Sequence, residues 1–178
     1  PTLPAVKIGN TARSIAKRVA GLIRDGDCIQ IGIGAIPSAT LEALGGKNDL
    51  GFHSGMIADG VKTLIEAGNM TGKAKTIDQN RAMIGATLGS PELIEWVGSA
   101  EQIALRPVSY THDPGVLRQI DNFVSINSAL EIDLFGQISA DMSGGRQISG
   151  TGGSVDLMRG ASLSRGGRSI IAFGATAS

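Results

Sequence analysis

A single cysteine stands in the 178 residues, so there is no disulfide framework, and no Cys/His spacing suits zinc. Cys28 lies in the apolar run Cys28-Ile29-Gln30-Ile31 and reads as a buried small hydrophobe rather than a nucleophile. Net charge is also missing: sixteen Lys and Arg balance sixteen Asp and Glu. No run of like charge exceeds a few residues, which leaves no phosphate-neutralising stripe for nucleic acid. The apolar stretches fall far short of the roughly 20 residues that a membrane span needs, and no charged-then-apolar leader opens the chain. These absences predict a cytoplasmic protein with no nucleic-acid or membrane partner, and no metal is expected. The chain begins at Pro1 without a Met, as an excised or processed piece of a longer protein would.

What is present is glycine and apolar sequence. With 42% hydrophobic and 18% charged residues the composition is that of a globular protein, and residues 1–178 are expected to form one domain. Gly occurs 26 times, about twice the usual share of roughly 7%. The glycines are scattered among apolar segments, which favours tight loops over disorder. Helical spacing of Ile15, Val19, Leu22 and Ile23 after Asn10-Thr11 predicts a helix over 11–24. Cys28 to Ile33 reads as a buried strand, followed by a glycine loop and a helix over Ser38–Leu44 capped by Ser38.

Further strands are expected over Asp49–Met56, Lys73–Ile77, Arg81–Leu88, Ile103–Val108, Asn122–Asn127, Ala129–Ile138 and Ser169–Phe173. Helices are expected over Asp59–Ala67, from Ser90-Pro91-Glu92 through Val97, and over Val116–Ile120. This alternation predicts an α/β fold, an open and mostly parallel sheet with helices on both faces.

Two glycine loops carry the chemistry. Gly150-Thr151-Gly152-Gly153-Ser154-Val155-Asp156-Leu157 joins three glycines to a Ser and an Asp, and such a stretch exposes backbone N–H groups that can wrap a phosphate, a thioester oxygen or an oxyanion. Gly32-Ile33-Gly34-Ala35-Ile36-Pro37 follows a strand and feeds a helix N-terminus, where an anion is favoured. A dinucleotide fingerprint would need glycine where Pro37 stands, which argues against nicotinamide.

Each residue also has a plainer reading. Both loops serve equally as tight turns, His53 as a hydrogen-bonded structural residue, and Asn127 as a strand-end amide that satisfies backbone groups. Ser54 and His53 are neighbours on a strand and face opposite ways, so they do not pair as nucleophile and base. Glu131 sits in an apolar segment and is paired, exposed or tuned for function. His112 with Asp113 reads as a solvated turn.

Four segments together resemble one family. They are the Gly32–Pro37 loop, Asp49-Leu50-Gly51-Phe52-His53-Ser54-Gly55-Met56-Ile57-Ala58-Asp59-Gly60, Asn127-Ser128-Ala129-Leu130-Glu131-Ile132-Asp133-Leu134-Phe135-Gly136-Gln137, and Gly150 to Asp156. In order and spacing they are similar to the C-terminal domain of the acetyl-CoA hydrolase/transferase family, which includes enzymes like 4-hydroxybutyrate CoA-transferase. The resemblance implies one half of a class I CoA-transferase fold, with acyl-CoA bound between two related α/β domains. An N-terminal domain of the same enzyme is then a partner, a homo-oligomer is compatible, and the family's domain extends past the segment matching Ser169 to Ser178.

Coenzyme A is the implied cosubstrate, with a small carboxylic acid as acceptor. The implied binding residues are Gly32, Gly34, Ala35, Ile36, Pro37, His53, Ser54, Asn127, Gly150, Gly152, Gly153, Ser154 and Asp156. In the family a Glu attacks the acyl-CoA carbonyl and becomes a glutamyl-CoA thioester. It belongs to a segment like His-Thr-Glu-Met, and here the matching residues are His53-Ser54-Gly55-Met56, so the nucleophile's position is taken by Gly55. Either another carboxylate such as Glu131 or Asp59 substitutes, or the N-terminal domain supplies the nucleophile, or the protein hydrolyses or only binds acyl-CoA. The alternatives to an enzyme are a CoA-binding or oligomerisation module and, more remotely, a protein like the sugar-phosphate isomerases of related fold.

Overall fold

Strand and helix alternate along most of the chain in the computed structural model, which describes residues 6–175. The elements run α1 (Asn10–Leu22), β1 (Cys28–Ile31), α2 (Ala35–Ala43), β2 (Gly51–Ile57), α3 (Asp59–Glu66), β3 (Ala82–Thr87), α4 (Pro91–Ser99) and β4 (Ile103–Leu105). Then follow α5 (Val108–Thr111), α6 (Pro114–Leu117), β5 (Phe123–Ser128), β6 (Glu131–Ile132), β7 (Ile138–Ser139), β8 (Met142–Ser143), β9 (Arg146–Gln147), α7 (Ser154–Leu163) and β10 (Arg168–Ala172). Six strands form one sheet in the order β10-β5-β1-β2-β3-β4, every neighbouring pair parallel.

Parallel strands need crossover connections, and these place helices on both faces. On one face, Val19 of α1, Leu41 of α2, Val61 of α3 and Leu93 of α4 pack on Ile29, Ile31, Phe52, Ile84, Val124 and Ile126. On the other, Leu117 of α6 with Leu157 and Ala161 of α7 cover Cys28 and Phe123. Cys28 is fully buried and its thiol is pushed up to about 12, chiefly by burial, so it is packing and not a nucleophile. Among the described residues no helix is long and apolar enough to cross a membrane.

Several local expectations shift. Helix α2 begins at Ala35 rather than Ser38, with Gly34 before it at φ +116°, a backbone conformation that favours glycine. Ala35, Ile36 and Pro37 are therefore first-turn helical residues, where proline is tolerated. The stretch 73–77 is a loop and not a strand, because Lys75 turns inward and its ammonium donates to the Arg81 carbonyl at 2.8 Å. Strand β4 stops at Leu105, and residues up to Val108 turn into α5.

Residues 129–139 do not form one strand. They fold back as the antiparallel pair β6/β7 around a turn in which the Asp133 carboxylate accepts from the Phe135 and Gln137 N–H groups at 2.9 and 2.8 Å. The tip leaves Leu134 and Phe135 almost wholly exposed. Helix α7 was not expected, because the positions it buries are Leu157, Gly160 and Ala161, a seam of mostly small residues without the large apolar repeat that announces a helix.

Candidate functional site

Strand order decides where a crevice opens. From β1 the chain adds β2, β3 and β4 on one side, then returns to place β5 and β10 on the other, so the direction of winding reverses between β1 and β5. In open α/β sheets ligands bind at such a switch point, beyond the carboxyl ends of the strands. A cavity of about 520 Å³ lies there, floored by Gln30 to Ile33 after β1 and Asn127 to Leu130 after β5. Its walls are Ser54, Gly55 and Met56 of β2, Val108, His112, and Ser149 with Thr151 to Ser154 at the start of α7. Among the described residues, none that lines the cavity carries a Lys, Arg, Asp or Glu side chain. Among the described residues no cluster of His, Cys, Asp and Glu could hold a metal.

The floor is polar although it is buried. Parallel register puts Gln30 beside Ser125. Ser125 Oγ donates to Gln30 Oε1 at 2.7 Å, while Asn127 Nδ2 donates to Ser125 Oγ at 2.9 Å and lies 3.2 Å from Gln30 Oε1. These groups satisfy one another, which lets amide and hydroxyl sit in a dry sheet at little cost. Asn127 thereby presents an oriented amide to the cavity edge.

Side chains alternate along β2, so Gly51, His53 and Gly55 share the face toward α5 to α7. At Gly55 the space of a side chain is taken: a Cβ there would lie 2.5 Å from His112 Cε1 and 2.8 Å from Nε2. A Cβ on Gly153 would strike the same ring. The His112 imidazole is thus wedged between two glycine backbones, one from each side of the cavity. Its Nδ1 lies 2.9 Å from Oγ1 of the buried Thr111, and burial lowers its pKa against the opposing pull of the Asp156 carboxylate.

Neither glycine loop caps its helix with a side chain. Gly34 precedes α2 and Gly153 precedes α7, each without a side-chain hydrogen bond, so first-turn N–H groups remain open to other partners. At α7 those groups border the cavity. Gly152, at φ +58°, makes the bend that aims them.

Of the residues singled out from sequence, the cavity is lined by Gly32, Ser54, Gly55, Asn127, Gly152, Gly153 and Ser154. Gly34 and Ala35 to Pro37 lie outside it, at the start of α2, with Ala35 and Ile36 packed into an apolar cluster. Gly150 sits between the lining residues Ser149 and Thr151 without lining the cavity itself. Asp156 stands one turn into α7 and acts on His112 through charge.

His53 is fully buried beneath the cavity floor, stacked on Tyr110 and edge-on to Phe123 at centroid distances of 6.0 and 6.2 Å. Neither of its ring nitrogens has a partner among the described residues, and burial, with the nearby Lys75 charge, lowers its pKa to about 4. Glu131 is away from the cavity on the exposed β6, where its carboxylate accepts from Ser143 Oγ at 2.7 Å and Gly144 N at 2.6 Å, contacts that hold its pKa down. Asp59 is likewise committed, accepting from Ser90 Oγ at 2.6 Å at the start of α4.

His112 is the residue that sequence reasoning passed over. As part of a His-Asp-Pro-Gly stretch it had the look of a solvated turn, and Asp113 does cap α6 by accepting from Gly115 N. Only the fold brings the preceding ring back over Gly55.

This lining suits one end of coenzyme A and not the other. Apolar walls with oriented N–H groups and the Asn127 amide fit a thioester and the pantetheine that bears it, whereas no cation lines the cavity to meet its phosphates.

Comparison with known proteins gives the chain a family. Residues 89–178 match the acetyl-CoA hydrolase/transferase C-terminal domain. The 4-hydroxybutyrate coenzyme A transferase of Clostridium kluyveri is 43% identical over 171 residues, covering 96% of this chain and 40% of that protein. Among solved structures, a 4-hydroxybutyrate CoA-transferase from Porphyromonas gingivalis superposes with a TM-score of 0.87 at 40% identity, covering 99% of this chain and 42% of that one. RipA from Yersinia pestis superposes at 0.91 with 36% identity, covering 100% and 39%. The chain therefore spans about 40% of the length of the relatives it matches. Half of its own length matches the domain, and the switch-point cavity lies where an open α/β sheet binds its ligand: this chain belongs to the acetyl-CoA hydrolase/transferase family.

Proposed function

We propose that this chain is the C-terminal portion of an enzyme that cleaves acyl-CoA, passing the acyl group's CoA to a small carboxylic acid or releasing it to water. The observation that carries the reading is the position of the Gly152-Gly153 bend. It turns the uncapped first turn of α7 toward the cavity opposite Asn127, which is what a tetrahedral oxyanion formed from a thioester needs. Names of relatives support it, since those that match at 43% and 40% identity are CoA-transferases. An N-terminal domain of the same protein would close the cavity and supply the cations for the CoA phosphates. The reading places the protein in the cytoplasm.

Gly55 stands in the slot of the family nucleophile, and a Cβ at that position would meet the His112 ring at 2.5 Å. The second reading, a CoA-binding module without turnover, draws on that missing carboxylate. Incubation of the intact protein with acetyl-CoA, with and without butyrate, separates the two. Loss of the thioester supports an enzyme. Saturable CoA binding with the thioester intact supports the module. Borohydride trapping followed by peptide mass spectrometry assigns any glutamyl adduct to its residue.

A further inference from the structure

Where the side chain of residue 55 would project, the protein has an imidazole instead. We propose that His112 is the general base of this cavity and that the reaction it serves is direct hydrolysis of the thioester by water. This rests on the acyl-CoA reading above and narrows it from transfer to hydrolysis.

The ring fills the space between the Gly55 and Gly153 backbones that a Cβ on either residue would need. Both glycines serve to admit it. The ring lines the cavity together with Ser54, Asn127 and Gly152, so a thioester carbonyl held on the α7 N–H groups is within its reach.

Its two nitrogens are in different settings. Nδ1 lies 2.9 Å from Thr111 Oγ1, and Thr111 is fully buried. With Nδ1–H donating to that hydroxyl, Nε2 carries a free lone pair, the tautomer a base requires.

Burial favours the neutral ring, and the surrounding charges work against it only through Asp156. Of the elements packed around it, β2 brings His53, α7 brings Asp156, and the α5 segment brings Tyr110 and Asp113, while β3 and residues 149–153 bring no ionisable side chain. Tyr110 donates to Asp78 at 2.7 Å and Asp113 is occupied by backbone N–H groups, so neither competes for the imidazole. Burial lowers the His112 pKa and Asp156 opposes it.

The step balances without a further reactant. Water's oxygen bonds to the acyl carbon as one of its protons passes to Nε2. The tetrahedral oxyanion then collapses, the C–S bond breaks, and the imidazolium returns that proton to the departing thiolate. A carboxylic acid and free coenzyme A result, and His112 is regenerated. No protein carboxylate is needed, which fits a cavity lined by none.

The test uses the intact protein with acetyl-CoA, following thiol release. His112→Gln should lower kcat about 100- to 1000-fold while KM changes less than about threefold. It should also abolish the acid limb expected of the wild type, which lies below the ordinary imidazole range because burial lowers the His112 pKa. In a single turnover of wild type in H2 18-O, the acetate formed should carry the label. Turnover of His112→Gln within about threefold of wild type overturns the assignment, as does unlabelled acetate in that first turnover, which would mean that an enzyme carboxylate attacked. The isotope measurement uses wild type alone, so it stands even if the variant does not fold. Wild type that neither hydrolyses acetyl-CoA nor transfers its CoA overturns the broader function, whereas wild-type transfer to butyrate through a trapped glutamyl adduct overturns hydrolysis by His112 and leaves the family activity in place.

Discussion

The two faces of the six-stranded sheet are built from the same strands and are both buried, yet one is mainly apolar and the other mixes apolar with polar groups. Toward α1 to α4 the strands present Ile29, Ile31, Phe52, Ile84, Val124 and Ile126. Toward α5 to α7 they present Gln30, His53, Ser125 and Asn127 beside the apolar Cys28 and Phe123, with Gly51, Gly55 and Gly85 leaving room for neighbours. Parallel strands covered on both sides are ordinarily apolar throughout. Where one face departs from that rule, polar groups find partners, as Gln30, Ser125 and Asn127 do, or are left without one, as the ring nitrogens of His53 are among the described residues. The first face holds the protein together and the second hosts the site.

The sharpest way to test the division is to truncate a side chain on the apolar face. Phe52→Ala should cost about 3–5 kcal/mol of stability, measured by chemical denaturation, because Phe52 is 1% exposed at the centre of the main core. A loss below about 1 kcal/mol would mean that this face is not the structural one.

On the polar face the largest stability effect is tied to pH. His53 has a folded pKa of about 4 against an unfolded value near 6.5, so between those values the unfolded chain binds more protons than the folded one. Stability should therefore fall as pH drops from about 6.5 to about 4, by about 3 kcal/mol in all. His53→Phe, which keeps a ring between Tyr110 and Phe123, should flatten that part of the curve. Equal slopes in variant and wild type would place the titration elsewhere.

A smaller effect is expected from the floor network. Ser125→Ala removes the hydroxyl that bridges Gln30 and Asn127 and should cost about 1 kcal/mol. It should also loosen the Asn127 amide, visible as a weaker apparent affinity for acetyl-CoA. An unchanged affinity would separate Asn127 from the ligand.

The same contrast explains what could be read from the amino acids. Strands β1, β5 and β10 were legible because their short β-branched runs end near glycine or in turns. The loop at Gly152-Gly153 was legible because side-chain loss is a local signal. Helix α7 was not, since Gly160 and Ala161 bury little apolar surface and their partner, Leu117, is distant in sequence. Ser38 looked like a cap, but the turn at Gly34 lets the helix start a turn earlier. His112 was hidden for a tertiary reason: no spacing within the chain places residue 112 over residue 55, and only the α5 turn across β2 and β3 does so. Glu131 drew notice as a charge among apolar neighbours, yet that segment folds into an exposed hairpin where its carboxylate bonds to Ser143 and Gly144.

One further side chain on the polar face sets a practical expectation. The Lys75 stem runs across Gly51, its amine ends on the Arg81 carbonyl, and only 1% of the residue reaches solvent. Reagents that acylate amines, and proteases that cut after lysine, meet this position only when the 73–77 loop lifts away from β2. Modification at Lys75, timed against surface lysines such as Lys17, becomes a clock for that opening.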